Sequence, residues 1–244
     1  MVGQYIEPVL IARRQAPALP SLCAVCHGWG QQRVCAHCVD RFAIAIPRCR
    51  RCALDLPAGA GLCGACLADP PPYERTLAAV DYAYPWDGLI GRFKYQAALD
   101  LAPALVERLR EAQRDAHDDP PDLLLPVPLS LERLRERGYN QAWEIARRLG
   151  AALRCPTDAR LLLRVRNTPR QLALAPSMRV ANVRGAFAVE PRRRAELAGR
   201  EIAVIDDVMT TGATAAEVAR VLLQAGAARV RVWVVARTRK PADR

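Results

Sequence analysis

From Glu201 to Thr214 the chain reads EIAVIDDVMTTGAT, with two adjacent carboxylates followed by a stretch of threonines and a glycine. Carboxylates accept hydrogen bonds from hydroxyls and attract cations. Free N–H groups at a helix start, a glycine that lets the backbone come close, and threonine hydroxyls suit a phosphate dianion. Asp206 and Asp207 beside Thr210, Thr211, Gly212, Ala213 and Thr214 therefore describe a sugar-phosphate cradle, the acids facing ribose hydroxyls and the loop a phosphate. Carboxylates about 5 Å apart repel by roughly 3 kcal/mol at an effective dielectric near 20, so a cation or hydrogen-bond donors must offset them. The plain alternative is a helix N-terminus stabilised by acids.

The flanking elements place this cradle. Ile202, Ala203, Val204 and Ile205 form an apolar run without alternation, as in a strand buried on both faces of a parallel sheet. The two acids then stand at its carboxyl end, where open α/β sheets bind ligands. After the loop, AAEVARVLLQAG puts Val218, Val221, Leu222 and Ala225 on one helical face and Glu217, Arg220 and Gln224 on another, with Gly226 placed to end the helix. Leu77 to Tyr84, Leu123 to Val127 and Arg229 to Ala236 read as further strands, and Leu101 to Arg114 and Gln141 to Leu153 as helices. The alternation predicts an α/β fold with a doubly wound parallel sheet.

A second set of chemistry-bearing residues lies near the amino terminus. Eight of the nine cysteines form four CxxC pairs: Cys23 and Cys26, Cys35 and Cys38, Cys49 and Cys52, Cys63 and Cys66. A CxxC loop lets two thiolates grip one ion, and two loops complete a closed tetrahedral zinc site, which is structural and not catalytic. The spacing fits either neighbouring pairs or an interleaved arrangement; sharing in sequence closes the shorter loops. The same donors also suit disulfides, a redox motif or iron–sulfur clusters. Two zinc ions are the expectation. His27 and His37 adjoin ligands, but eight thiolates already fill two tetrahedra. Cys155, alone before Pro156, reads as a small packed hydrophobe.

These pairs cannot bury a self-sufficient core, so metal must supply stability to residues 23–70, an N-terminal zinc-ribbon domain. Asp69-Pro70-Pro71-Pro72 reads as a stiff connector. The expected layout is a tail over residues 1–22, the ribbons, and the α/β domain over residues 73–240. The start lacks the charged end, apolar core and cleavage site of a secretory leader, and no apolar run is long enough to cross a bilayer, so a cytoplasmic protein without membrane insertion is expected.

The formal charge is +11, which two four-thiolate zinc sites would lower to about +7. Arginine outnumbers lysine 34 to 2, which suggests codon bias more than nucleic-acid binding. Clusters at Arg192, Arg193 and Arg194 and at Arg237, Arg239 and Lys240 are suited to phosphates, or simply form a solvated surface. The acids after an apolar strand also look like a Walker B strand, but neither Lys94 nor Lys240 sits in a GxxxxGK[ST] loop. A GxGxxG at Gly59, Gly61 and Gly64 lies among cysteines, without the strand that a dinucleotide site needs.

The string around Asp206 resembles the phosphoribosyl pyrophosphate (PRPP) motif of type I phosphoribosyltransferases. In that family the acid pair binds the ribose 2′ and 3′ hydroxyls and the threonine loop holds the 5′-phosphate. Some salvage members carry an aspartate base where this chain has Thr210, so the resemblance supplies no general base here. With the CxxC pairs, further stretches resemble the ComF family of competence-associated proteins, from about Cys23 to Arg237. They are Phe93 to Tyr95 (FKY), Pro126 to Ser130 (PVPLS), Arg137 to Ala142 (RGYNQA), Thr168 with Gln171, Arg179, and Asn182. The resemblance implies a pyrophosphate loop around Pro128, Leu129, Ser130, Arg133 and Arg137, and a flexible hood carrying Thr168, Gln171 and Arg179. The basic connection from Arg164 to Phe187 suits a mobile loop or a hairpin over that site.

Two functions follow as expectations. One is phosphoribosyl transfer from Mg2+-bound PRPP, with a role in competence or DNA uptake favoured over the alternative of nucleobase salvage; the other is a non-catalytic DNA-processing role that reuses the fold, with single-stranded DNA and competence or recombination proteins as partners.

Overall fold

The computed structural model describes residues 20–166 and 183–239. Its centre is a four-stranded sheet of order β3-β8-β7-β4, with β3 at Arg75–Asp81, β4 at Leu123–Pro126, β7 at Glu201–Met209 and β8 at Arg229–Arg237. Every neighbouring pair is parallel. β7 and β8 sit inside the sheet, and their apolar runs are divided between its two faces by the strand period of two. Ala203, Ile205, Trp233 and Val235 join one core. Ile202, Val204, Val230, Val232 and Val234 join the other.

Helices cover both faces. On the first lie α3 (Trp86–Tyr95), α4 (Ala102–Asp115) and α6 (Gln141–Leu153). On the second lies α7 (Ala213–Gln224), whose buried Val218 and Leu222 each stabilise by about 1.5–3 kcal/mol through the apolar surface they remove from water. The doubly wound parallel architecture is the one expected. Glu217 departs from its expected polar face: it is buried, accepts a hydrogen bond from Gly185 N at 2.6 Å and pairs with Arg220 at 2.7 Å. A carboxylate with two such donors tolerates burial.

β7 also runs past Ile205 through Asp206 and Asp207 to Met209, because its pairing with β8 continues to Met209 and Arg237. The acids thus stand within the strand's last turns of pleat, not beyond it. α3 supplies an element that periodicity in the strands did not announce. Its Trp86, Leu89, Ile90 and Phe93 are buried at the spacing of one helical face, which leaves Lys94 at the edge of that stripe.

The connection out of β4 is ordered by caps. α5 (Leu131–Arg137) starts at Ser130, whose hydroxyl accepts from Arg133 N at 3.3 Å, and ends at Gly138 in the left-handed region, φ 78°. Asn140 then caps α6 through Ala142 N and Trp143 N, while its Nδ2 donates to the Val127 carbonyl at 3.1 Å. One asparagine thereby fixes α6 to the end of β4. Farther on, β5 (Leu162–Arg164) pairs antiparallel with β6 (Phe187–Val189) at the two ends of the basic connection, whose middle lies outside the described residues.

The amino-terminal region forms two small cysteine modules. The first carries the hairpin of β1 (Ser21–Leu22) and β2 (Trp29–Gly30) and helix α1 (Ala36–Phe42); the second carries α2 (Gly64–Ala68). Cys23, Val34 and Cys38 pack into the same core as Trp86 and Leu101. Trp86 Nε1 donates to the Phe42 carbonyl at 2.8 Å, and Arg33 pairs with Asp100 at 2.6 Å. No helix among the described residues is long and apolar enough to cross a membrane.

Candidate functional site

A cavity of about 590 Å³ opens at the carboxyl ends of the parallel strands. It is walled by Val127, Pro128 and Leu129 after β4, by Arg133 and Arg137 of α5, by Asp206 to Thr210, and by Gly212 to Ala215 at the start of α7. The carboxylates, the threonine loop and the expected pyrophosphate loop therefore converge although the last is far from the others in sequence. Two expected residues have other duties. Ser130 is buried as the cap of α5, and the Thr211 hydroxyl accepts from Ala213 N at 3.3 Å. Both shape the loops that line the cavity. Thr168, Gln171 and Arg179 lie outside the described residues.

Gly212 is required by geometry. It is the residue before α7 and adopts φ 83°, where a side chain would be strained. A Cβ there would also sit 3.1 Å from Tyr73 Oη.

The cation that offsets the acids is Lys94. Its Nζ lies 2.7 Å from Asp207 Oδ2, and both side chains are largely removed from solvent. Tyr82, Tyr95, Gln96 and Arg164 also line the cavity. Lys94 and Tyr95 fall in the FKY stretch of the resemblance and Arg164 opens the basic connection, but the sequence gives none of them a charge-balancing role; its further signal is that Lys94 is one of two lysines in a chain with 34 arginines, at the edge of an apolar helical stripe.

Burial, and then neighbouring charge, shifts the ionisable groups of the cavity. Burial pushes the Asp206 carboxyl up to about 6, against the opposing pull of Lys94, Arg137 and Arg164. Burial likewise brings the Lys94 ammonium down to about 8; Asp206 opposes this and Arg137 and Arg133 add to it. Arg164 is lowered to about 10, by burial first and then by Arg133. Lys94, Arg133, Arg137 and Arg164 thus crowd around two carboxylates, an arrangement that an anionic ligand with a hydroxylated centre would satisfy.

Among the basic clusters Arg192, Arg194 and Arg239 are exposed, in keeping with a solvated surface, while several of the arginines are also tied to neighbouring segments. Arg193 pairs with Asp158 and Glu196, Arg194 donates to the Gln224 carbonyl, and Arg239 pairs with Asp81. Arg237 is buried against main-chain carbonyls.

The cysteines gather as Cys23, Cys26, Cys35 and Cys38 and as Cys49, Cys52, Cys63 and Cys66, the sulfurs of each set lying within 4.8 Å of one another. This is the sequential sharing that short loops favour. Sulfur separations of 3.9 Å (Cys23 to Cys38), 3.7 Å (Cys26 to Cys35) and 3.6 Å (Cys52 to Cys63) exceed a disulfide bond. They match the edge of about 3.8 Å of a tetrahedron with zinc–sulfur bonds of about 2.3 Å. Cys35 N donates to Cys23 Sγ and Cys63 N to Cys49 Sγ, each at 3.4 Å, which favours thiolates. Both sets are therefore fit to hold zinc. His27 and His37 stand outside them, exposed. Cys155 is buried elsewhere, its thiol donating to the Pro121 carbonyl at 3.0 Å.

Fold and cavity together define a phosphoribosyltransferase-type domain carrying paired four-cysteine modules, and the phosphoribosyl transferase domain family matches residues 135–244. The chain is 35% identical over 232 residues to DNA utilization protein YhgH of Salmonella typhi, covering 90% of this chain and 98% of that protein. It is 32% identical over 208 residues to competence protein F of Haemophilus influenzae, covering 84% of this chain and 90% of that one. The chain belongs to the ComF family of competence-associated proteins. Among solved structures, the allosteric regulatory enzyme of purine biosynthesis aligns with 53% of this chain and 25% of its own at 19% identity and a TM-score of 0.34, a loose likeness.

Proposed function

We propose that the cavity binds PRPP or a related ribose phosphate, accompanied by Mg2+, in a protein that acts in DNA utilization. Asp206 and Asp207 take the ribose hydroxyls, the Thr210 to Thr214 loop takes the 5′-phosphate, and Arg133 and Arg137 meet the pyrophosphate beside Pro128 and Leu129. The observation that carries this reading is the single cavity in which paired carboxylates, a glycine-led helix start and four cationic side chains meet. Lys94 offsets the carboxylate charge before a ligand arrives. Mg2+ held near the Asp206 and Asp207 carboxylates with the ligand would supply neutralisation of pyrophosphate charge. The chain's own residues bind, orient and partly desolvate the sugar, which is how such sites favour attack at the anomeric carbon. The names of the curated relatives support the DNA-utilization context.

Calorimetry with PRPP and Mg2+ tests the reading. Asp206→Asn should abolish binding while the melting temperature persists; unchanged affinity removes this site. Pyrophosphate release with candidate acceptors then tells binding from turnover.

A second reading, direct contact with single-stranded DNA, is favoured by exposed rings. Trp29 is 77% and Tyr84 69% exposed, and base stacking on aromatics joins with positive charge in such proteins. Binding should weaken steeply with salt. Absence of binding at low salt eliminates it.

A further inference from the structure

Arg237 closes β8 and is 6% exposed, yet it reaches two separate parts of the molecule. Its Nε donates to the Cys52 carbonyl at 2.8 Å, inside the second cysteine module. Its Nη1 donates to the carbonyls of Met209 at 3.2 Å, Thr238 at 2.8 Å and Thr210. Thr210 opens the threonine loop. Among the described residues, every hydrogen-bond partner found for this guanidinium is a carbonyl or hydroxyl oxygen, so its charge is spent on holding main chain. A rigid planar fork with several donors is suited to that task.

A second tie runs in parallel. Arg51, between Cys49 and Cys52, donates to the Tyr73 carbonyl at 3.0 Å and to that of Pro71 at 3.4 Å. Tyr73 is 2% exposed, and its hydroxyl backs the Gly212 turn, 3.1 Å from where a Cβ would sit. The first cysteine module makes its contacts elsewhere, at Asp100 and Trp86.

We infer that the second four-cysteine centre positions the ligand loop through Arg237, so that metal held by Cys49, Cys52, Cys63 and Cys66 and phosphate held by the Thr210 to Thr214 loop stabilise each other. The Cys52 carbonyl keeps its place only while its own thiolate is anchored, and Arg237 passes that constraint to the Thr210 carbonyl. Arg237 is a positioning residue; it acts on the loop's main chain and not on the ligand. Such coupling is reciprocal, which makes it measurable from the metal side without any turnover. The inference rests on the proposed ribose-phosphate site.

The experiment uses the zinc-loaded full chain. Zinc release to a colorimetric chelator is followed with and without saturating PRPP and Mg2+, and alkylation with peptide mass spectrometry reports which cysteines are freed. At equilibrium with the chelator, PRPP should tighten zinc binding at Cys49, Cys52, Cys63 and Cys66 by about fivefold or more and leave the first four cysteines unchanged. Arg237→Met should abolish this protection and weaken PRPP binding, and Arg237→Lys, which keeps a cationic donor, should restore part of both. Equal protection of both centres, or none while calorimetry reports bound PRPP, overturns the coupling alone. Full protection and affinity in Arg237→Met also overturn it. Failure of the wild-type chain to bind PRPP refutes the site and the coupling together. The wild-type measurement decides the matter even if a variant does not fold.

Discussion

Lys94 Nζ lies 2.7 Å from Asp207 Oδ2, joining the last turn of α3 to the carboxyl end of β7 across 113 positions of sequence. The pair lies at the wall of the cavity at the carboxyl end of the sheet.

The losses from removing the two partners of this pair should not add. Lys94→Met leaves the buried Asp207 carboxylate without the ammonium it meets in the fold and should destabilise, but by less than a pair with an unperturbed lysine would lose, because burial already disfavours the Lys94 charge. Lys94→Met with Asp207→Asn should lose at least about 1 kcal/mol less than the two single changes added together. Denaturant melts of the four proteins measure this, and additive losses would contradict the coupling.

The alkaline limb of ligand affinity should belong to Lys94. Its ammonium, lowered to about 8 by burial, is lost as pH rises through that value. PRPP affinity should therefore fall between about pH 7.5 and 9.5, and Lys94→Arg, which stays charged, should flatten the fall. Stability moves the opposite way. A group whose folded value is depressed adds stability above its unfolded value of 10.5 and loses it as pH falls through about 8. A flat wild-type affinity profile by calorimetry across this range would remove the assignment.

Gly212→Ala should reduce both stability and phosphate affinity. The position has φ 83° and faces Tyr73 Oη, so the substitution should cost about 1–2 kcal/mol. Gly64→Ala, with open space around it, is the control and should be near neutral. Equal melting temperatures for the two variants would contradict the strained turn.

Metal analysis should find two zinc ions per chain, one for each cysteine cluster. Strong chelation should expose eight alkylatable thiols, leave Cys155 protected while the α/β core stays folded, and lower the melting temperature. Intramolecular disulfides in the freshly purified chain, detected by mass, would count against metal.

The legible parts of this protein are those encoded locally. Asp206 through Thr214 reads directly as acids, loop and helix start because strand, turn and helix follow one another in the chain, and local pattern specifies each. The CxxC pairs are legible for the same reason: two ligands three residues apart define half a site. The end of β7 was less so, since nothing within Ile202 to Met209 signals that pairing with β8 persists past the acids. Arg237 reads as surface charge, yet it is buried and its partner Cys52 comes from the distant cysteine region, beyond the reach of any local pattern. Glu217 looked polar and exposed on its helix because its partner, Gly185 N, comes from a different part of the chain.

By itself the sequence determined the chemistry on offer: paired acids before a glycine-led loop, four thiolate pairs, and apolar runs that demand a parallel sheet. Those depend on residue type and short spacing, which the covalent chain already imposes. Tertiary structure alone decided how the cysteines divide between two centres, that Lys94 faces Asp207, and that Arg237 links Cys52 to Thr210. Each of these depends on distant segments being packed against one sheet, where burial removes water and leaves a nearby charge or carbonyl as the partner that a polar group must find.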